Sequence, residues 1–413
     1  MKRFRLSRLL VVACCLGLVA AACGDDSSDT GSTGTPAPTV ATTAATSSGA
    51  SGATTDRKGK TAADLYTTDL SKVCPNPLIV QKDWLAETEH AAMYQLVGDK
   101  GKMSESTYEG PLGSTGINLK IIDGGPGLGS GQTTIASLFT GNLKFNITPH
   151  LAFVSTDDAA TFSKQFPVVA VVAPLAKSPQ MLFWDPATYP NGFKSIADLK
   201  AFGATNNKIY VTSIKSTYGK WLVDQGVPAS AFIEGYAGDA EKFVTNSGKW
   251  INQGYSSNEI YDFEHGRGWA KPVKYVYVSD LGYDFYPSSI SVAKDKLPQL
   301  KDCLTKVVPL IQQAQVDYMN DPTTVNKLIT SYNDQKMGAS FWKTPLELNT
   351  AAHDVMLKDK LVANESGTLG AMDTARVQKA IDNLKAGFDD RANKAVTPAD
   401  ISTNQFIDKS IKL

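Results

Sequence analysis

Short apolar runs alternating with amphipathic stretches predict an α/β protein with largely parallel sheets and flanking helices. Two further observations bound that class. The chain has 413 residues, enough for two globular units. Apolar residues make up 42% and charged residues 20%, the proportions of a globular protein. With 41 basic and 41 acidic side chains the net charge is zero, without the basic excess of a nucleic-acid binder.

The elements follow in order along the folded body. Residues 77–80 read as a first strand, and 84–97 as a helix with Leu85, Ala92, Met93 and Leu96 near one face. Residues 117–122 form a second strand, followed by a glycine-rich turn over 124–131 and a helix over 132–139. Apolar runs at 151–154, 168–172 and 181–184 are strand-like. Ser195 caps a helix over 196–202, a strand covers 209–212, and a helix covers 216–225. Strands at 273–278 and 289–292 come next, and after Leu297 the chain turns mostly helical. In open parallel sheets, ligands sit beyond the carboxyl ends of the strands.

The N-terminus has the pattern of an export signal. Lys2, Arg3, Arg5 and Arg8 precede an apolar run, Leu9 to Ala22, that is too short to span a membrane. Residues 1–22 therefore read as a signal peptide. Ala20-Ala21-Ala22-Cys23 resembles a lipobox, which implies lipidation of Cys23 and an extracytoplasmic protein anchored to the cell membrane. Ala20 stands where such boxes usually carry leucine. Residues 23–60 are then the lipidated cysteine and a Ser/Thr/Gly/Ala-rich linker, unable to bury enough apolar surface to fold. A flexible linker of about 35 residues reaches roughly 30 Å.

Cys74 and Cys303 remain after processing, and an even pair in an exported chain favours a disulfide over two separate buried thiols. No metal-binding spacing is found, and the sequence calls for no cofactor. The turn Gly124 to Thr134 fails as a phosphate-binding loop, because Pro126 takes a glycine position and Gln132 replaces the lysine. It reads either as a turn presenting Gln132, Thr133 and Thr134 to a polar ligand or as a plain helix cap.

Two blocks carry a family resemblance. Asp83-Trp84, then Glu89-His90 and Tyr94, resembles the opening of the thiamine-precursor and nitrate/taurine/sulfonate group of ABC-importer substrate-binding proteins. Gln253-Gly254-Tyr255-Ser256-Ser257-Asn258-Glu259, followed by Asp280-Leu281-Gly282-Tyr283, resembles a later segment of the same group. Ala91-Ala92 and Tyr261 depart from the usual pattern, which bears on the ligand more than on the fold. The resemblance implies a two-lobed type II periplasmic binding protein fold with a hinge. Lobe one would take residues 72–174 and 283–413, and lobe two 175–282. It also implies a small-molecule ligand in the interlobe cleft and an ABC permease as membrane partner.

Trp84, Tyr94, Tyr218, Tyr255 and Tyr283 are candidate aromatic walls; Glu89, His90 and Glu259 are candidate polar contacts. Each also has a packing reading, and Glu259 could be a solvated carboxylate on a helix. A carboxylate among rings suits a neutral or cationic nitrogen heterocycle, such as a thiamine pyrimidine precursor or a flavin-like ring. A small anion (nitrate, taurine or another sulfonate) would call for arginine or lysine, and Arg267 is the only arginine between Arg57 and Arg376. The third reading is a pyrimidine synthase-like enzyme of the same fold. Its cysteine-rich iron motif is absent here, so the sequence favours a binding protein over an enzyme.

Overall fold

The computed structural model describes residues 57–125, 128, 131–238, 241–266, 268–337 and 342–413. The signal-peptide reading, Cys23 and the linker up to residue 56 lie outside these residues, as do Pro126, Gly127, Gly129, Ser130 and Arg267. Among the described residues, no helix is long and apolar enough to cross a membrane.

The strands are β1 (Leu78–Gln81), β2 (Lys102–Ser104), β3 (Thr107–Pro111), β4 (Asn118–Ile122), β5 (Leu151–Val154), β6 (Val168–Val172), β7 (Gln180–Trp184), β8 (Ile209–Tyr210), β9 (Phe232–Ile233), β10 (Ile251–Tyr255), β11 (Lys274–Tyr277), β12 (Ser289–Ala293), β13 (Asn364–Glu365) and β14 (Thr368–Leu369). β5, β6 and β7 are apolar or nearly so throughout, and every residue in them is buried. Such runs belong to sheets covered on both faces.

The first sheet has the order β2-β3-β4-β1-β5-β12-β6, and the second β11-β7-β10-β8-β9. In the first, β1 runs parallel to β4 and β5, while β12 lies antiparallel between β5 and β6. In the second, β8 runs parallel to β9 and β10, while β7 lies antiparallel between β10 and β11. Setting aside the β2–β3 hairpin, the two sheets repeat one plan. Three parallel strands are followed by one antiparallel strand that arrives from the other sheet, and then by a fourth parallel strand. β13 and β14 form a separate hairpin.

Among the described residues, two segments, 173–179 and 278–288, join the strands of one sheet to those of the other. They are fastened to each other: Lys177 Nζ meets Asp280 Oδ1 at 2.9 Å, and Val278 N donates to Gln180 O. Arg376, on the helix Thr374–Leu384, grips both crossings. Its guanidinium donates to Asp284 Oδ1 at 2.6 Å and to the carbonyls of Ala176 and Phe285.

Helices cover the first sheet. The helix Leu297–Asn320 packs against Ala91–Val97 through Leu300, Leu304, Val307 and Ile311, all buried. Cys74 and Cys303 form a disulfide that joins the approach to β1 to this long helix. The sequence places the end of the linker at residue 60, but the ordered body begins earlier. Arg57 makes a bidentate ion pair with Asp317 at 2.7 and 2.9 Å, and Tyr66 and Leu70 are fully buried. The helix read over 84–97 is shorter than expected. Thr88–His90 is a 3₁₀ turn, the α-helix is Ala91–Val97, and residues 84–87 are irregular.

Candidate functional site

The resemblance-bearing segments converge at the carboxyl ends of parallel strands. Residues 82–90 leave β1, Asp123 leaves β4, and Ser155 to Asp158 leave β5. From the second sheet, Tyr255 to Glu259 leave β10 and Tyr236 follows β9. Both groups therefore lie where open parallel sheets bind ligands.

Gly124 and Gly125 allow the first of these segments to come close. A Cβ on Gly124 would fall 1.7 Å from Lys82 O, and one on Gly125 (φ +62°) 1.9 Å from Asp83 O. These glycines serve the backbone approach that seats the turn after β1. The Gln132 side chain holds its own loop, donating to Gly141 O and Thr140 Oγ1 and accepting from Leu143 N. Thr133 precedes the helix Thr134–Thr140 without a side-chain capping bond, and Thr134 is buried. Gln132 is thus engaged within its own loop, and Thr133 makes no capping bond at the helix start.

Asp83 accepts from His90 Nε2 at 2.6 Å and from Ser288 Oγ at 2.6 Å. Burial raises its pKa, but those bonds outweigh it and hold the carboxyl below its usual range. His90 is fully buried with its ring edge-on to Phe153 at 4.9 Å, and burial pushes its pKa down. Its Nδ1 has no hydrogen-bond partner and lies 3.8 Å from Glu87 Oε1.

Glu89 and Glu259 face each other's charge from opposite sheets. Ser257 Oγ donates to Glu89 Oε1 across the two bodies, and Glu259 accepts from Tyr236 Oη and Tyr255 N, each at 2.9 Å. Both carboxylates are buried, so the solvated-surface reading of Glu259 is excluded. Burial, helped by the charges of Asp83 and Glu259, pushes Glu89 up to about 8. Glu87 is also pushed well above the usual range, by burial first and then by Glu89 and Asp83. The side chains of Asp83 and Glu87 keep 32% and 15% exposure, and Tyr255 keeps 39%.

A second acidic pair follows β5. Tyr283 Oη donates to Asp157 Oδ2 at 2.5 Å, and Thr217 Oγ1, from the other body, donates to Asp158 Oδ1 at 3.2 Å. Burial and the neighbouring Asp157 push Asp158 up to about 7. The Tyr218 and Tyr283 rings lie 5.7 Å apart, and both are buried.

Tyr94 needs correction. It is fully buried, its hydroxyl takes a 2.8 Å bond from Lys82 Nζ, and its ring packs against Tyr108 and Tyr332. It belongs to the core beneath the cleft. Trp84 is half-buried and meets Trp342 edge-to-face at 5.6 Å. Trp342, Tyr236, Glu87, Asp157 and Asp158 join the site without having been singled out in the sequence, while Asp83 and Ser257 lie in its two family-like blocks. One signal pointed to Glu87: it falls in a stretch with no lysine or arginine between Lys82 and Lys100. Among the described residues, no group of three or more His, Cys, Asp or Glu side chains is arranged to hold a metal.

The raised carboxyls have a measurable consequence. A carboxyl that holds its proton more tightly when folded contributes stability that is lost as pH rises from its unfolded value through its folded one. For Glu89 that window runs from its ordinary 4.5 to about 8. The melting temperature of the unliganded protein is expected to fall between pH 5 and pH 8; calorimetry showing a rise across that interval would contradict the arrangement.

Each sheet receives its antiparallel strand from the other, so the chain crosses twice between two bodies with facing strand ends. The fold is mixed α/β, built on two sheets that each take one strand from the other. No protein-family model matches the chain, and no curated protein matches it. Solved structures of the periplasmic binding protein fold are similar to it at low identity. The periplasmic nitrate-binding protein of Synechocystis PCC 6803 is 11% identical, with a TM-score of 0.49 over 81% of this chain and 88% of its own. The alkanesulfonate-binding protein of Xanthomonas axonopodis pv. citri, bound to MOPS, is 11% identical, with a TM-score of 0.48 over 80% and 99%. The periplasmic aliphatic sulphonate-binding protein of Escherichia coli is 11% identical, with a TM-score of 0.46 over 76% and 88%.

Proposed function

We propose that the protein is the extracytoplasmic solute-binding component of an ABC importer, lipid-anchored at Cys23, which closes two lobes on a protonated nitrogen heterocycle. The lobes divide near residues 174 and 283, with the two crossings as hinge. The observation that carries the reading is the buried carboxylate pair Glu89 and Glu259, brought together from opposite sheets beside Tyr255. A carboxyl with a raised pKa, such as Glu89, lowers its free energy when a cation arrives, because the charge it resists carrying is then compensated. Trp84 and Tyr255 supply ring faces for stacking and cation–π contact.

The anion reading, nitrate or a sulfonate, draws on the names of the similar structures. It would need a cation turned to the cleft. Lys82, the lysine nearest these carboxylates in the sequence, is instead bound to Asp123 at 2.8 Å and to Tyr94. The hydrogen-bonding pattern of a carboxylate cluster therefore favours a donor-rich cation.

A thermal-shift screen of the purified protein against aminopyrimidines, flavins, sulfonates and nitrate tests the choice, since ligand binding raises the melting temperature by mass action. A cationic heterocycle is expected to give the largest shift. For a heterocycle that stays protonated throughout, that shift should grow from pH 6 to pH 8, as Glu89 and Asp158 release their protons to water and meet the cation as carboxylates. A larger shift with nitrate or a sulfonate would overturn the reading.

A further inference from the structure

The cleft holds a second set of groups that the Glu89–Glu259 pair does not use. Asp157 is 6% exposed; one carboxylate oxygen accepts from Tyr283, while the other, Oδ1, makes no well-formed hydrogen bond, with the Ser155 hydroxyl and the Asp158 N–H close to the carboxyl. Tyr218 is 5% exposed, and its hydroxyl has no partner either. These groups come from opposite sheets, Asp157 from the helix after β5 and Tyr218 from the helix Thr217–Asp224. Tyr283 joins them, with its hydroxyl on Asp157 and its ring 5.7 Å from that of Tyr218. A buried acceptor and a buried hydroxyl that both stay unpaired are rare in folded proteins and call for a polar occupant.

The set continues into the first acidic pair. Tyr255 donates its backbone N–H to Glu259 at 2.9 Å, and burial first, then the nearby Tyr255 phenol, raises the pKa of Tyr218. Arg391, whose charge partly offsets that of Asp158, is itself held by Asp389 in a bidentate pair, Nε to Oδ1 at 2.9 Å and Nη2 to Oδ2 at 2.7 Å.

Resting on the reading of the cleft as a cation site, we infer that its solute has two cationic, hydrogen-bond-donating ends, one held by Glu89 and Glu259, the other by Asp157 and the Tyr218 hydroxyl. An ammonium or amidinium N–H at the far end would donate to Asp157 Oδ1 and to the Tyr218 oxygen. A solute with one charged end leaves those two groups unpaired.

Calorimetric titration with benzamidine, which has one cationic end, and 4-(aminomethyl)benzamidine, which has two, separates the cases. The two-ended probe should bind at least about tenfold tighter, as a further charge-assisted bond implies. Asp157→Asn should bring the two affinities to within about threefold of each other. Tyr218→Phe deletes a hydroxyl that makes no bond in the protein, so it should narrow the ratio while leaving the melting temperature in place. It carries the test if Asp157→Asn fails to fold. Equal affinities in the unmodified protein, or an unchanged ratio in both variants, would overturn the second end and leave the first acidic pair standing. Failure of both probes to bind, with an anion binding instead, would remove the cation cleft itself.

Discussion

Glu259→Gln is expected to fold normally and to lose about 10- to 100-fold in affinity for a protonated aminopyrimidine, the range set by one hydrogen bond to a charged group. Glu259 accepts from the Tyr236 hydroxyl and from Tyr255 N, and a glutamine oxygen can keep only one of these bonds. Its amide would present a donor to a donor-bearing solute. Glu89→Gln provides the contrast. Glu89 holds its proton up to about pH 8, so its neutral replacement should matter little at pH 6 and more at pH 8.5. Titration calorimetry of the two variants at both pH values reads the difference. Unchanged affinity in Glu259→Gln at both would exclude Glu259 from the site.

The largest stability effect is expected beneath the cleft, at Lys82. Its ammonium is fully buried, 2.8 Å from Asp123 Oδ1, and Asp123 is 1% exposed. Tyr332 donates to the other Asp123 oxygen, and Lys82 donates to Tyr94. Lys82→Met leaves a buried carboxylate without its cation, a change that costs about 3–5 kcal/mol. Lys82→Met combined with Asp123→Asn removes both charges and should recover most of that loss. Denaturant unfolding of the three variants measures it. A double variant no more stable than Lys82→Met alone would show that packing, not the orphaned charge, is responsible.

The sheets were legible because buried parallel strands are written as unbroken apolar runs. Leu151–Val154 and Val168–Val172 are placed by the sequence with the ends they have in the structure. The β2–β3 hairpin was not, because Lys102–Ser104 is largely exposed and polar, and its turn carries Glu105 and Ser106 without a glycine. The helix over 84–97 was overextended because hydrophobic spacing does not register the turn after β1, which the Gly124–Gly125 backbone crosses. Tyr94 shows the same limit for side chains. Its spacing marks a buried helix face, and its phenol suits a cleft wall equally well; only the buried Lys82 places it in the core. Asp157 and Asp158 sit in the first turn of a short helix, where acids are common. Their role arises from Tyr283 and Thr217, more than 50 residues away, so no local pattern could reveal it.

The position of β12 bears on how the chain is made. It lies between β5 and β6, while every strand of the second sheet falls within residues 180–277. During synthesis from the N-terminus, the inserted body has all its strands before residue 289 exists. The surrounding body must wait, with β5 and β6 presenting two unpaired edges to any neighbouring chain. A ribosome stalled shortly before that point would leave a nascent protein with a finished middle and an open, aggregation-prone exterior.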